Sequence, residues 1–137
     1  MKFSKTTEYA IRVMVFLANH TEQRYSVNEL HKALNVPYKY LGRLMHRLSA
    51  AGLVEVLQGK QGGYRIIRNL GSIYLHQIID VVEGLHDYQR CVLGFDECSD
   101  ENPCSLHGFW MEHRERLKEM IYSTTLAELN KTKNIKF

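Results

Sequence analysis

The sequence predicts a mainly α-helical fold with one small β-hairpin and a long C-terminal helix, and three observations carry that expectation. Apolar residues recur every three or four positions through most of the chain, the spacing of one helix face. A single Gly-rich turn, Gly59-Lys-Gln-Gly-Gly63, lies between two short β-prone runs. A long aperiodic stretch, Tyr88 to Ser105, then separates these elements from a last helical pattern.

The elements follow in order. The first helix is expected from about Ser4 to Asn19, with Ala10, Met14 and Leu17 on one face. Thr21 to Tyr25 reads as a loop. Ser26-Val-Asn-Glu29 has the form of a capping box, in which the serine hydroxyl and the glutamate carboxylate satisfy each other's free backbone N–H groups. It opens a second helix buried through Leu30, Ala33 and Leu34, which Asn35 suits as an end. After the short turn Val36-Pro37, proline's missing N–H does no harm in the first turn of a third helix. That helix should run to about Ala51 and stop at Gly52, with Leu41, Leu44, Met45 and Leu48 inward. Leu53 to Leu57 and Tyr64 to Ile67 are the two strands of the hairpin. Ile78, Ile79, Val82 and Leu85 mark a fourth helix from about Leu75 to Glu83, ending near Gly84. The last long helix starts near Leu106, with Leu106, Trp110, His113, Leu117, Met120 and Ile121 along one side. It breaks near Ser123, and Thr125-Leu-Ala-Glu128 caps one final turn. The basic tail from Lys131 is expected to fray.

A chain of 137 residues is long enough for one self-supporting core plus an extension. Its net charge of +3 hides a division. Residues 1–72 hold eleven Lys and Arg against four Asp and Glu; residues 73–137 hold seven against eleven. A basic first half and an acidic second half imply that only the first meets a polyanion. The apolar run Val13 to Ala18 is far too short to span a bilayer. Lys2 and Lys5 faintly imitate a secretion leader, but Glu8 and Arg12 interrupt its would-be apolar region, so a cytoplasmic chain without membrane contact is expected.

Helix, short turn, helix and hairpin make a winged helix-turn-helix, assigned to residues 1–72, with the cysteine loop and dimerisation helices in 73–137. The third helix is the reader. Opposite its apolar stripe, Lys39, Arg43, His46 and Arg47 are three or four residues apart and share one face. The major groove of double-stranded DNA admits one α-helix, and Arg can pair with a guanine edge through two hydrogen bonds. Tyr38 and Tyr40 at the helix start are candidate phosphate contacts. In the wing, Gly59, Gly62 and Gly63 let the backbone turn and lie close to a sugar–phosphate wall, while Lys60 and Arg65 add charge. Taken alone, the charged stripe reads equally well as a solvated helix face. The capped second helix, Pro37, the glycine wing and the charge division favour the DNA reading.

All three cysteines lie in the aperiodic stretch. Six residues separate Cys91 from Cys98, five separate Cys98 from Cys104, and His107 follows after two more. An odd number of thiols in a reducing compartment points away from a disulfide framework. Thiolates bind thiophilic metals, and loop backbone can wrap a cluster. Structural zinc draws ligands in Cys-x-x-Cys pairs, and only Cys104 and His107 have that spacing. An iron–sulfur cluster therefore ranks first; zinc, a bare-thiol redox switch and buried unliganded cysteines remain as alternatives. His107 reads either as a ligand or as a plain polar residue at a helix start. His20, His31, His76, His86 and His113 read as structural. A cysteine enzyme using Cys104 and His107 is disfavoured, because no orienting acid stands at readable spacing, and the chain is read as a non-enzyme.

Several segments together resemble one family. They are Thr7-Glu-Tyr-Ala10, Val36-Pro-Tyr-Lys-Tyr-Leu41, Leu44 to Val54, Gly59-Lys-Gln-Gly-Gly-Tyr64, Cys104-Ser-Leu-His107-Gly-Phe-Trp110 and Thr125-Leu-Ala-Glu-Leu129. With the cysteine loop, they resemble the Rrf2 superfamily of bacterial winged-helix transcription regulators over essentially the whole chain. The resemblance implies a homodimer joined through the long C-terminal helix, and an iron–sulfur cluster on Cys91, Cys98 and Cys104. That cluster would control operator binding in response to redox state, oxygen, nitric oxide or cluster status. IscR-like members take their fourth ligand from the histidine matching His107. NsrR-like members can use a carboxylate of the partner's first helix, here the partner's Glu8. The gap between the first two cysteines is one residue longer than the IscR-like pattern, so 2Fe–2S and 4Fe–4S both remain open.

Overall fold

The computed structural model describes residues 3–131. It contains α1 (Lys5–Asn19), α2 (Val27–Leu34), α3 (Tyr38–Ala50), β1 (Glu55–Leu57), β2 (Gly63–Arg65), α4 (Leu75–Val82), α5 (His107–Ser123) and α6 (Leu126–Asn130). Short 3-10 turns occupy Leu70–Ser72 and His86–Gln89. The fold is thus mainly helical with one antiparallel hairpin. The basic tail beyond Lys131 lies outside the described residues. Among those described, no helix is long and apolar enough to cross a membrane.

The helix ends form as the residue types dictate. The Thr7 N–H donates to Ser4 Oγ at 3.2 Å and starts α1. In the capping box the Glu29 N–H donates to Ser26 Oγ (3.2 Å) and the Ser26 N–H to Glu29 Oε2 (2.7 Å). Asn35 closes α2 in the left-handed region at φ 54°. Ser26→Ala is expected to cost about 1 kcal/mol of folding stability in a urea melt, because it orphans a backbone donor at the start of α2.

One core joins α1, α2 and α3 through Val13, Met14, Leu17, Leu30, Leu41, Met45 and Leu48. Ile73, Ile78, Val82 and Leu126 belong to that same core, so α4 and the final α6 pack back onto α1. A second, smaller core of Leu75, Ile79, Tyr88 and Ile121 lies between α4 and α5. The Leu75 N–H donates to Thr124 O (2.9 Å) and the Leu126 N–H to Ile73 O (2.8 Å), tying the end of α5 to the start of α4.

The hairpin is shorter than its sequence implied. Its register is Glu55 to Arg65, Val56 to Tyr64 and Leu57 to Gly63. Leu53, Val54 and Ile66 leave the ladder because all three are drawn into the core. The segment read as a loop before α2 supplies a further bridge: the Tyr64 N–H donates to Tyr25 O (2.8 Å) and the Tyr25 N–H to Tyr64 O (2.9 Å). Gly63 sits against this bridge at φ +133°, where a Cβ would lie 2.7 Å from the Tyr25 carbonyl. Gly63→Ala is therefore expected to displace the wing and cost about 1–3 kcal/mol, read by denaturant melts.

The long helix departs most from expectation. Of the apolar line proposed for α5, only Ile121 is fully buried. Leu106 and Met120 are 42% and 43% exposed, and Phe109, outside that line, is 77% exposed. His113 is exposed too. The helix docks through one narrow edge and leaves an apolar flank open.

Candidate DNA-reading face and cysteine site

The turn between α2 and α3 is held from beneath. Arg12 of α1 donates through Nη2 to Leu34 O at 2.7 Å, and His31 Nδ1 lies 2.6 Å from Val36 O. With the turn fixed, α3 projects Lys39, Arg43, His46 and Arg47 from its outer face, all exposed. Among the described residues none of the four makes a hydrogen bond or ion pair to protein. The charges of Lys39, Arg43 and Arg47 are free for another molecule. Tyr38 and Tyr40 are about half exposed; Tyr40 stands edge-on to Tyr9 with ring centres 5.8 Å apart, which fixes its direction.

The wing and the first turns of α2 and α3 enclose an open groove of about 570 Å³, lined by Tyr38, Asn28, Gln58 and Lys60 among others. Lys60 is exposed at the wing tip. Arg65, expected to add charge there, is instead committed: its Nε lies 3.3 Å from Glu55 Oε2, and Arg24 lies 3.0 Å from the same oxygen. The Arg24 hydrogen bond, then that of Arg65, holds the Glu55 carboxyl below the usual carboxylate range. Gly62 and Gly63 also have an internal reason to be glycine. A Cβ on Gly62 would lie 2.0 Å from Leu57 O, and Gly63 is buried against Tyr25. Close approach to an external backbone is not what these two require; Gly59, at φ +106° with open space around it, has that freedom.

The cysteine loop brings its thiols to the base of α5. Cys91 Sγ and Cys104 Sγ are 3.5 Å apart. Cys98 Sγ lies 3.5 Å from His107 Nδ1, and His107 Nε2 lies 2.8 Å from Asp100 Oδ1. His107 is the first residue of α5 and only 6% exposed, so it is no plain surface residue at a helix start. Its N–H donates to Cys104 O at 3.1 Å, which couples the loop's last cysteine to the helix. Burial pushes the Cys91 thiol up, but the N–H groups of Leu93, Phe95 and Gly94 and the Cys104 thiol outweigh it and hold Cys91 below the ordinary thiol range.

This donor set fits an iron–sulfur cluster chemically. Three thiols and an imidazole belong to one loop and the helix start it leads into, and backbone N–H groups directed at sulfur are a recognised means of stabilising and tuning such clusters. Among the described residues no three His, Cys, Asp or Glu side chains converge as a site for a single metal ion. The groups stand as two pairs, Cys91 with Cys104 and Cys98 with His107.

Glu8 is distant in role from this loop within its own chain. It pairs with Lys5 at 2.9 Å. It also lines an apolar groove of about 450 Å³ with Phe3, Trp110, His113, Leu117 and Met120. Of the histidines read as structural, His20 Nδ1 lies 2.7 Å from Phe16 O and His76 stacks on Tyr122 at 4.4 Å. Asp100 was invisible to sequence reasoning, since it lies seven positions before His107 in an aperiodic stretch. The structure supplies the orienting acid that spacing lacked, and it hands His107 to Cys98 rather than to Cys104.

The family described as Rrf2, iron-dependent transcriptional regulator, matches residues 3–132. A putative HTH-type transcriptional regulator of Aquifex aeolicus is 30% identical over 131 residues, covering 94% of this chain and 91% of that one. The structure of CymR (YrzC), the global cysteine regulator of B. subtilis, is similar with a TM-score of 0.80 at 28% identity, covering 96% of this chain and 97% of that one. T. potens IscR is similar with a TM-score of 0.73 at 30% identity, covering 96% and 87%.

Proposed function

The chain belongs to the Rrf2 family of transcriptional regulators, and from that premise we propose that it is a cytoplasmic, homodimeric, operator-binding regulator gated by an iron–sulfur cluster. The observation that supports the cluster reading is that the loop leading into α5 carries two donor pairs, Cys91 with Cys104 and Cys98 with His107. When bound, a cluster with one non-thiolate corner supplies a site at which oxygen or nitric oxide reacts.

The rest is the work of this chain's residues. Lys39, Arg43, His46 and Arg47 read or clamp the duplex, Tyr38 and Tyr40 contact phosphate at the helix start, and Lys60 contacts it at the wing tip. Gly62 and Gly63 shape the wing that presents Lys60. His107 begins α5, and the far end of α5 is bonded to α4 through Thr124. The α4 and α6 helices share the core on which α3 is seated. A change in how the loop holds His107 is thus transmitted along α5 to the platform of the reader helix.

Dimerisation completes the device. The open apolar flank of α5 and the groove beside Glu8, which share Met120, expose more apolar surface than single scattered residues. A second copy covering it would set two reader helices in two-fold register for a near-palindromic operator. Light scattering at micromolar concentration is expected to give a dimer mass. Met120→Glu, which puts a charge into this surface, is expected to shift the protein toward monomer; a monomeric parent would rule the arrangement out.

Anaerobic purification followed by iron and sulfide analysis and an optical spectrum tests the cluster. Stoichiometric iron and sulfide with a visible chromophore supports it. Their absence, with operator binding instead sensitive to oxidants, favours the second reading: the same dimer governed by thiols, for which the 3.5 Å approach of Cys91 and Cys104 is the favouring observation.

A further inference from the structure

We infer that Gly42 is a specificity-determining position of α3, the point where the helix lies bare against the base edges of the duplex. The inference rests on α3 being the reader helix. It adds what the charged residues cannot supply, the depth at which that helix seats.

Gly42 lies inside α3 (Tyr38–Ala50), one turn past its start. Glycine in a helix interior gives up the most backbone freedom on folding and adds no packing, so it weakens the helix relative to alanine. Two internal reasons commonly justify that cost: a left-handed backbone, or a neighbour that a side chain would strike. Neither applies to Gly42. Its φ is not in the left-handed region, and a Cβ placed on it would meet no atom within 4 Å. The other glycines up to Gly71 differ. Gly52, Gly59 and Gly63 take positive φ, while a Cβ on Gly62 or Gly71 would lie 2.0 Å from Leu57 O or 3.2 Å from Asn69 Oδ1. Nothing within the described residues asks for a bare backbone at Gly42, so the demand comes from outside the chain.

The surroundings say what stands there. Lys39 lies three residues before Gly42 and His46 four after, so the three form one row along the helix, with Arg43 beside it. Lys39, Arg43 and His46 are exposed and make no hydrogen bond or ion pair to protein among the described residues. The row is thus two long polar arms with a gap between them, one side chain wide. A helix face turned only to water would be stabilised by filling that gap. A rigid body pressed against the helix requires it empty. In the major groove the base edges form the floor, and an α-helix occupies the width. How deep the helix sits decides whether Lys39 and Arg43 reach those edges or stop at the phosphates. Non-specific binding depends on phosphate charge and needs no such depth. Gly42 therefore acts on the preference for one sequence over another, not on the general attraction to DNA.

Parent, Gly42→Ala and Gly42→Leu, purified alike under argon, are titrated by anisotropy against two probes. One is the duplex that the parent selects from a randomised palindromic pool, the other the same duplex scrambled. Gly42→Ala is expected to raise the thermal midpoint by about 3 °C, because alanine is the better helix former and has open space. It is nevertheless expected to lose about tenfold in affinity for the selected duplex, while affinity for the scrambled duplex stays within about twofold of the parent. Gly42→Leu, with a larger side chain in the same gap, is expected to lose more in the same selective sense. Unchanged or improved preference for the selected duplex in Gly42→Ala would overturn the proposal. So would an equal loss on both duplexes. A parent that selects no duplex overturns the reader assignment itself, a failure seen before any variant is made.

Discussion

Replacing Arg43 and Arg47 together with alanine is expected to remove specific operator binding, each side chain contributing about 1–3 kcal/mol, while the thermal midpoint stays close to that of the parent. Both side chains are exposed on α3 and form no bond to protein among the described residues, so their loss leaves the fold's contacts intact. The apolar face of the same helix, Leu41, Leu44, Met45 and Leu48, is buried and untouched. A base-reading arginine and a phosphate-clamping one part company in the titration. Loss of the first relaxes discrimination between operator and scrambled duplex, whereas loss of the second weakens both and flattens the salt dependence by about one unit of slope. Anisotropy titrations of both duplexes at two salt concentrations separate the roles. Unchanged operator affinity in the double variant would remove α3 from the reader role.

The parts of this molecule governed by local rules were legible in the sequence. The capping box at Ser26, the left-handed end at Asn35 and the capping box at Thr125 each depend on a few adjacent residues and formed as expected, while Pro37 stands one position earlier than expected, as the cap before α3 rather than within its first turn. What escaped was set by contacts distant in sequence. Leu53, Val54 and Ile66 have strand-forming side chains, yet the core claims them and shortens the hairpin. Arg65 has the charge of a phosphate contact, but Glu55 directly across the ladder engages it, and Arg24, thirty-one residues upstream of that carboxylate, shares the same oxygen. Gly62 and Gly63 look permissive in sequence and prove to be obligatory against Leu57 and Tyr25. In the cysteine loop, spacing singled out the thiols and His107 as candidates, but the pairing of His107 with Cys98 and Asp100 depends on how an aperiodic chain folds back on a helix start.

Single replacement of Cys91, Cys98 or Cys104 by alanine is expected to abolish the visible iron–sulfur chromophore, and with it any difference in operator affinity between anaerobic and air-exposed protein. Each thiol stands in the loop that leads to α5, and removing one leaves too few soft donors for a cluster. The fourth position is where the two candidate ligands diverge. His107 is buried, faces Cys98 at 3.5 Å and is held at its other nitrogen by Asp100 at 2.8 Å, the arrangement by which an outer carboxylate orients a ligating imidazole. Glu8 pairs with Lys5 in its own chain and borders the apolar groove proposed to receive the second copy, so only across a dimer would the partner's Glu8 approach this loop. His107→Ala, loaded anaerobically, is therefore expected to keep a chromophore with shifted bands and to lose it faster in air. Asp100→Asn should change lability in the same direction but less, since it removes the orienting charge and leaves the ligand. Glu8→Ala is expected to leave the spectrum as in the parent while weakening the Lys5 contact. The opposite pattern, a parent-like spectrum in His107→Ala and an altered one in Glu8→Ala, would move the fourth ligand to the partner subunit. A triple Cys→Ala protein with the parent's spectrum and the parent's operator response would end the cluster model, because no other described side chains offer the thiolates that such a cluster requires.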